Sequence, residues 1–340
     1  SLHLPSFFAV TVALFAAVAF SGATHDIAAD GVYMAELSTE DQAKYIGWQG
    51  AFYNLAKLVA TGGLVWLAGW LYESFSAEGT ATFGAYVRSW TAVLVILCGA
   101  LVALGAYHLR ALPSGGGAAE RRSLREGLSG LKEVVGAFFQ KKHIWYYLGF
   151  IILYRLGEGF VMKIVPLFLK ADTASGGLGL TNQQIGLYYG TFGAGAFLLG
   201  SLLAGYYIAH RGLRRTLFIL CCIFNIPFAV YALLAWLQPQ SMWIVGGGIV
   251  LEYFGYGFGF VGLTLFMMQQ VAPGRHQMAH YAFASGIMNL SVMLTGMASG
   301  FLSDLMSYRI FFLAVMLATI PAFVITRLVP FTYDDKPNDK

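Results

Sequence analysis

Apolar residues run along this chain in blocks of about 20 or more, broken by short polar segments, and a block of that length is what an α-helix needs to cross a bilayer. The pattern predicts nine helices, over residues 4–35, 47–71, 88–109, 143–170, 182–209, 216–237, 242–270, 279–303 and 308–329. An all-α membrane protein is expected. Most connections are short and carry turn or charged residues: Ser38 to Lys44, Gln238 to Ser241, and Ala272 to Gln277 with its Pro273-Gly274 pair. One connection, Arg110 to His143, is long. It opens on a glycine-rich hinge, Ser114 to Gly117. Then Leu124, Leu128, Leu131, Val135 and Phe138 recur at helical spacing among Arg121, Arg122, Arg125, Lys132, Lys141 and Lys142. That pattern predicts a basic amphipathic helix lying at a membrane surface.

Composition agrees with the block pattern. Hydrophobic residues make up 58% and charged residues 11%, above and below the shares of ordinary globular domains, so the lipid bilayer is an expected partner and nucleic acid is not. The three cysteines, Cys98, Cys221 and Cys222, lie in apolar spans with neither disulfide nor metal-ligand spacing. No Ser/His/Asp, HExxH, Walker or CxxC arrangement occurs. No metal, cofactor or enzymatic activity is therefore expected.

Lys and Arg bias orients the helices. Placing the loops after the first, third, fifth and seventh spans and the C-terminal tail on one side collects fifteen of the 21 basic residues there. The opposite loops hold Arg88, Lys170 and Arg309, and Lys57, Arg155 and Lys163 are intramembrane. The richer side is expected to be cytoplasmic, with a cytoplasmic C-terminus. The long basic connection divides the chain into three spans and six. Six helices after such a linker make one half of a two-bundle transporter, and three further spans are expected to precede Ser1.

Charges inside spans are costly, from about 2.5 kcal/mol upward, unless they face protein or a water-filled cavity. Arg155 and Glu158 stand three apart on one helix face, and two readings are open: an ion pair locking two helices, or a polar element of a substrate or proton pathway. Lys163 lies about 140° around the helix from Glu158, where it can snorkel to the interface. Asp26 and Asp30 share a face four residues apart, with His25 beside it, and Lys57 sits at the depth of Asp26 in the next span. Such a carboxylate near a cation can be tuned to bind and release a proton; a helix-end carboxylate wetted by water is the alternative, especially for Asp30. Glu252 is mid-depth without a local cation, so Arg155 is its expected partner. Gly255, Gly257 and Gly259 after it allow a bend or close packing. Asn289 offers donors and acceptors to a polar substrate or to a neighbouring helix. Tyr53, Tyr154 and Tyr256 are candidates to stack on sugar rings, or to pack.

Several stretches resemble the major facilitator superfamily and, within it, the muropeptide permeases of the AmpG type, related to acetyl-coenzyme A transporters. These are Ser21 to Asp30 (SGATHDIAAD), Tyr154 to Glu158 (YRLGE), Phe254 to Phe260 (FGYGFGF) with Thr264 and Met267-Met268, and Ala279 to Ala282 (AHYA). They fall in the order and spacing of the family's fourth, seventh, tenth and eleventh helices. The loop Gly205 to Arg215, GYYIAHRGLRR, is similar to the superfamily's gating motif in Gly205, Gly212 and Arg214, with Ala209 in place of the acid. His25 stands where the permeases commonly have Gln, and Asn54 where they often have Arg, with Lys57 three residues on.

The resemblance implies a major facilitator-type bundle whose nine helices correspond to helices 4–12 of twelve. Residues 1–109 would end the first bundle, 110–142 form the linker, 143–330 the complete second bundle and 331–340 a cytoplasmic tail. It implies a proton-coupled secondary transporter in a bacterial inner membrane, working by alternating access and importing muropeptides or related cell-wall degradation products. Its partners would be a small, polar or anionic substrate and protons. Asp26, Asp30, Glu158 and Glu252 would be candidate proton carriers, and Arg155, Lys57, Asn54, Tyr53, Tyr154, Asn289 and Tyr256 candidate cavity residues. A same-fold carrier of acetyl-coenzyme A, a siderophore, a peptide or a drug is the alternative, and a membrane-embedded enzyme a remote one.

Overall fold

The computed structural model describes residues 6–77, 82–112 and 124–333, and among them there are helices and no strands. Helix α1 (Phe7–Glu36) ends two residues before Ser38, whose side chain accepts the backbone N–H of Asp41 at 3.1 Å and caps α2 (Thr39–Leu58). That cap starts the helix earlier than the apolar run beginning at 47 predicts, because a serine oxygen satisfies an otherwise orphaned first-turn N–H. A π-helical turn, Val59–Gly63, separates α2 from α3 (Leu64–Ala77). Next come α4 (Thr82–Ala111) and the linker helix α5 (Leu124–Phe139). The glycine hinge at 114–117, Arg121, Arg122 and the last residues of the tail lie outside the described residues, as do the side chains of Lys57 and Arg125.

The predicted span 143–170 is two helices, α6 (Ile144–Tyr154) and α7 (Leu156–Lys170), separated by the single non-helical residue Arg155 (φ −101°, ψ 10°). After α8 (Asn182–Ile185), opened by a Thr181–Gln184 capping box, a π-helical stretch, Gly186–Phe192, leads into α9 (Gly193–Arg211). The remainder is α10 (Leu213–Asn225), α11 (Ala229–Leu237), α12 (Met242–Phe266) with a π-helical turn Met267–Val271, α13 (Gln277–Leu305) and α14 (Tyr308–Leu328).

Among the described residues, seven helical stretches are long and apolar enough to cross a membrane, not nine. The two that fall short have physical reasons. The stretch 39–77 begins with the polar turn Thr39 to Lys44 and is interrupted by a π turn; 144–170 is cut at Arg155 and carries Arg155, Glu158 and Lys163.

The chain divides into two compact units, 1–22 with 55–129, and 23–54 with 130–340. In the first, α3 packs on α4 and Tyr72 stacks on Tyr86 with ring centroids 4.2 Å apart. In the second, α9 and α10 pack on α12, α7 on α13, and α6 and α11 on α14. The core of this unit is aromatic, with Tyr147, Phe150, Tyr154, Phe224, Phe228, Phe266 and Phe312 buried together. Gly255, Gly257 and Gly259 lie in an unbroken α12, where a Cβ would strike the Ile223, Phe197 and Leu220 carbonyls. Close packing, not a bend, is their structural use.

Candidate functional site

The polar centre of the second unit is the helix break at Arg155. Ending α6 one residue early leaves backbone carbonyls without i+4 donors, and in a water-poor interior each must find another partner. Side chains from two other helices supply them. Ser291 on α13 donates to the Ile152 carbonyl (3.3 Å), and Asn225 on α10 donates to the Tyr154 carbonyl (3.4 Å). The Tyr154 hydroxyl donates to the Gly259 carbonyl on α12 (2.8 Å), and its ring is fully buried.

At the break Arg155 and Glu158 form a two-pronged pair, Nε to Oε2 and Nη2 to Oε1, both 2.5 Å. Arg155 is 5% exposed and Glu158 4%. The guanidinium lies 5.1 Å from the centre of the Phe260 ring, and Tyr256 flanks the pair. Paired, hydrogen-bonded geometry of this kind is what makes two buried charges tolerable. Glu252 is also buried, but its partner is the Tyr231 hydroxyl, which donates to Oε2 at 2.7 Å. The expected meeting of Glu252 with Arg155 is therefore corrected: two guanidinium N–H groups are already given to Glu158, and a phenol takes the cation's place.

A second polar group gathers where the end of α1 and the start of α2 pack against α9, α12 and α13. Asp30 is buried and accepts from Gln49 Nε2 (2.8 Å), while Asp26, four residues earlier, is exposed. Gln42 donates to the Leu37 carbonyl (3.1 Å), and Gln269 to the Thr39 carbonyl (3.3 Å). Backbones meet closely here. A Cβ on Gly47 would collide with the Ser201 carbonyl, and one on Gly205 would lie 2.8 Å from the Ala43 carbonyl. Gly205, singled out by the motif, thus touches α2 through backbone, with Ala209 in the acid's position. Gly212 adopts φ 80°, ψ 146°, a conformation only glycine takes without strain, between α9 and α10. Arg214 is exposed, its guanidinium 6.0 Å from the Phe331 ring centre.

The remaining candidates are placed individually. Tyr53 is 70% exposed, and Asn54 donates to the Gly50 carbonyl of its own helix (2.8 Å). Asn289 and His25 are exposed. Lys163 is exposed, with its stem against Gly296. Lys57 lies in α2, its side chain outside the described set. No group of three His, Cys, Asp or Glu able to hold a metal occurs among the described residues. Sequence reasoning missed Tyr231, Asn225, Ser291 and Gln49. All are partners across helices, and only the presence of a polar residue in an apolar span pointed to them.

The family model described as Major Facilitator Superfamily matches residues 151–340. The anhydromuropeptide permease of Escherichia coli (strain K12) is 23% identical over 316 residues, which are 92% of this chain and 58% of that protein. A protein of Rickettsia bellii (strain RML369-C), provisionally named transporter AmpG 2, is 23% identical over 195 residues, 56% of this chain and 46% of that protein. The chain thus spans under two thirds of the length of these relatives.

Proposed function

The chain belongs to the major facilitator superfamily, and from that premise we propose that it is the greater part of a proton-coupled secondary transporter importing muropeptides or related cell-wall degradation products. The observation that carries this reading is the similarity to an anhydromuropeptide permease along 92% of the chain. On it, the helical stretches correspond to helices four to twelve of a twelve-helix carrier. The linker and the C-terminus are cytoplasmic, the membrane is the bacterial inner membrane, and residues 143–330 are one complete bundle.

The geometry supplies a mechanism. A buried, neutralised Arg155–Glu158 pair is a site that an anionic group can open, because a substrate carboxylate competing for Arg155 releases Glu158 to take up a proton. Tyr256 and Phe260 flank that exchange, and Tyr154, fully buried and bonded to Gly259, positions the break instead of touching cargo. Glu252 with Tyr231 is a second proton carrier within the bundle, and Asp26 with Asp30 a third group in the first half. Tyr53, Asn54 and Asn289 are further candidates to meet cargo on this reading. The close contacts of α1 and α2 with α9 and α13 form the cytoplasmic gate, held by backbone approach at Gly47 and Gly205 where the motif's acid is absent.

The test is uptake of labelled anhydromuropeptide by the full-length protein in proteoliposomes under an imposed proton gradient. Uptake that collapses with a protonophore is expected. Robust uptake of only acetyl-coenzyme A, a siderophore, a peptide or a drug would overturn the cargo, and muropeptide uptake surviving both the protonophore and Asp26→Asn would overturn the coupling.

A further inference from the structure

Beside the linker helix, and apart from the buried pair, a cavity of about 410 Å³ opens between α5, the α12–α13 loop and the residues after α14. Its wall carries Lys141, Lys142, Arg275, His276 and His280 against one carboxylate, Glu133. Lys141 Nζ donates to the Val271, Ala272 and Pro273 carbonyls (2.6, 3.2 and 2.6 Å). Carbonyls accept hydrogen bonds but cancel no charge, so the ammonium still projects its field. Glu133 takes only one prong of Arg275 (3.2 Å), and Arg275 is 82% exposed with its other N–H groups available. Among the described residues Lys142 has no carboxylate partner.

The wall also carries a buried histidine. His280, 3% exposed, meets the Val134 carbonyl through Nε2 at 3.2 Å, which makes Nε2 the N–H donor, and its buried Nδ1 has no partner. Orphaned buried ring nitrogens are rare in folded proteins.

We propose that this cavity binds a phosphate ester. A tetrahedral oxyanion with several acceptor atoms matches a forked guanidinium, a lysine ammonium and imidazoles converging from three segments. Two sources share that chemistry, a soluble phosphomonoester or the phosphodiester headgroup of an anionic lipid. The site is independent of the transport reading, because none of its residues is assigned to cargo, protons or gate.

The experiment measures binding of glycerol 3-phosphate and inorganic phosphate to the full-length protein at constant ionic strength, in detergent and in nanodiscs of phosphatidylcholine or phosphatidylglycerol. Saturable binding is expected, weakened roughly tenfold by Arg275→Gln, the loss of about one charge-assisted hydrogen bond. Glu133→Gln is expected to tighten it, because the competing carboxylate is gone, and a gain of affinity cannot come from misfolding. Lys132→Gln, outside the cavity, leaves it unchanged. Equal binding in both nanodiscs identifies a soluble ligand; loss of phosphate binding in phosphatidylglycerol alone identifies the lipid headgroup. No saturable binding in any medium, or binding indifferent to both Arg275→Gln and Glu133→Gln, overturns the proposal.

Discussion

Replacing Glu158 by Gln keeps the side chain's shape and removes its charge. Arg155 cannot release its proton, so the variant holds a guanidinium that is 5% exposed with no anion to balance it. Breaking one member of a buried pair costs about 3–5 kcal/mol. The Phe260 ring, 5.1 Å from the guanidinium, contributes about 2 kcal/mol or more at a desolvated site, but it is present before and after the change, so it offsets nothing. Removing both charges is different: apolar replacement of a whole buried pair is neutral or stabilising by about 1–4 kcal/mol. Stability should therefore run Arg155→Met/Glu158→Leu at or above wild type, and Glu158→Gln well below. Thermal unfolding in detergent reads that order, and muropeptide uptake by the same preparations reads function. The double variant should fold and fail to transport. If it transports like wild type, the pair is a packing device and its assigned role is wrong; if Glu158→Gln unfolds at the wild-type temperature, water reaches Arg155 and the guanidinium is not the buried charge its contacts imply.

Two further outcomes follow from particular contacts. Gly47→Leu drives a side chain into the Ser201 carbonyl, an overpacking cost of about 1–3 kcal/mol, and should part α2 from α9; faster thiol labelling of a Gln49→Cys reporter in that background than without it is the expected reading, and unchanged labelling removes the gate assignment. Burial draws Lys141 from 10.5 down to about 8, so between those values the unfolded chain keeps a proton that the folded chain gives up. Its contribution to stability is then complete above 10.5 and is lost as pH falls through about 8. The unfolding midpoint of wild type should accordingly rise from pH 7 to pH 10 relative to that of Lys141→Met, and parallel curves for the two proteins would contradict it.

Helix identity was legible because an apolar block of spanning length has few ways to bury itself except as a helix crossing a bilayer, and the Arg155–Glu158 contact because a three-residue spacing fixes it locally. The break between them was not. Neither proline nor glycine stands at Arg155; the interruption is held by Ser291 and Asn225, which are remote in sequence, so no window around residue 155 contains its cause. The same holds for Glu252, whose partner Tyr231 lies 21 residues away on another helix, and for Asp30, buried through Gln49 on the following one. An acid in an apolar span signals that a partner exists, and only the crossing of helices says which. Of the nine expected spans, seven meet the length and hydropathy of a crossing helix among the described residues, and for one of the other two the reason is related, since hydropathy averages over Arg155 while the backbone does not.

The gap between α6 and α7 has a mechanical meaning. Its upstream rim is tethered to α13 through Ser291 and to α10 through Asn225, while its downstream rim is gripped by the Glu158 carboxylate through Arg155. A slide of α13 against α10 pulls on one rim, and whatever changes the charge at Glu158 loosens the other. On the proposed proton-coupled reading, helix tilt and ionisation would be a single coordinate at this joint. Displacing either one does work on the other, which is the requirement any machine must meet to turn an ion gradient into the movement of a solute.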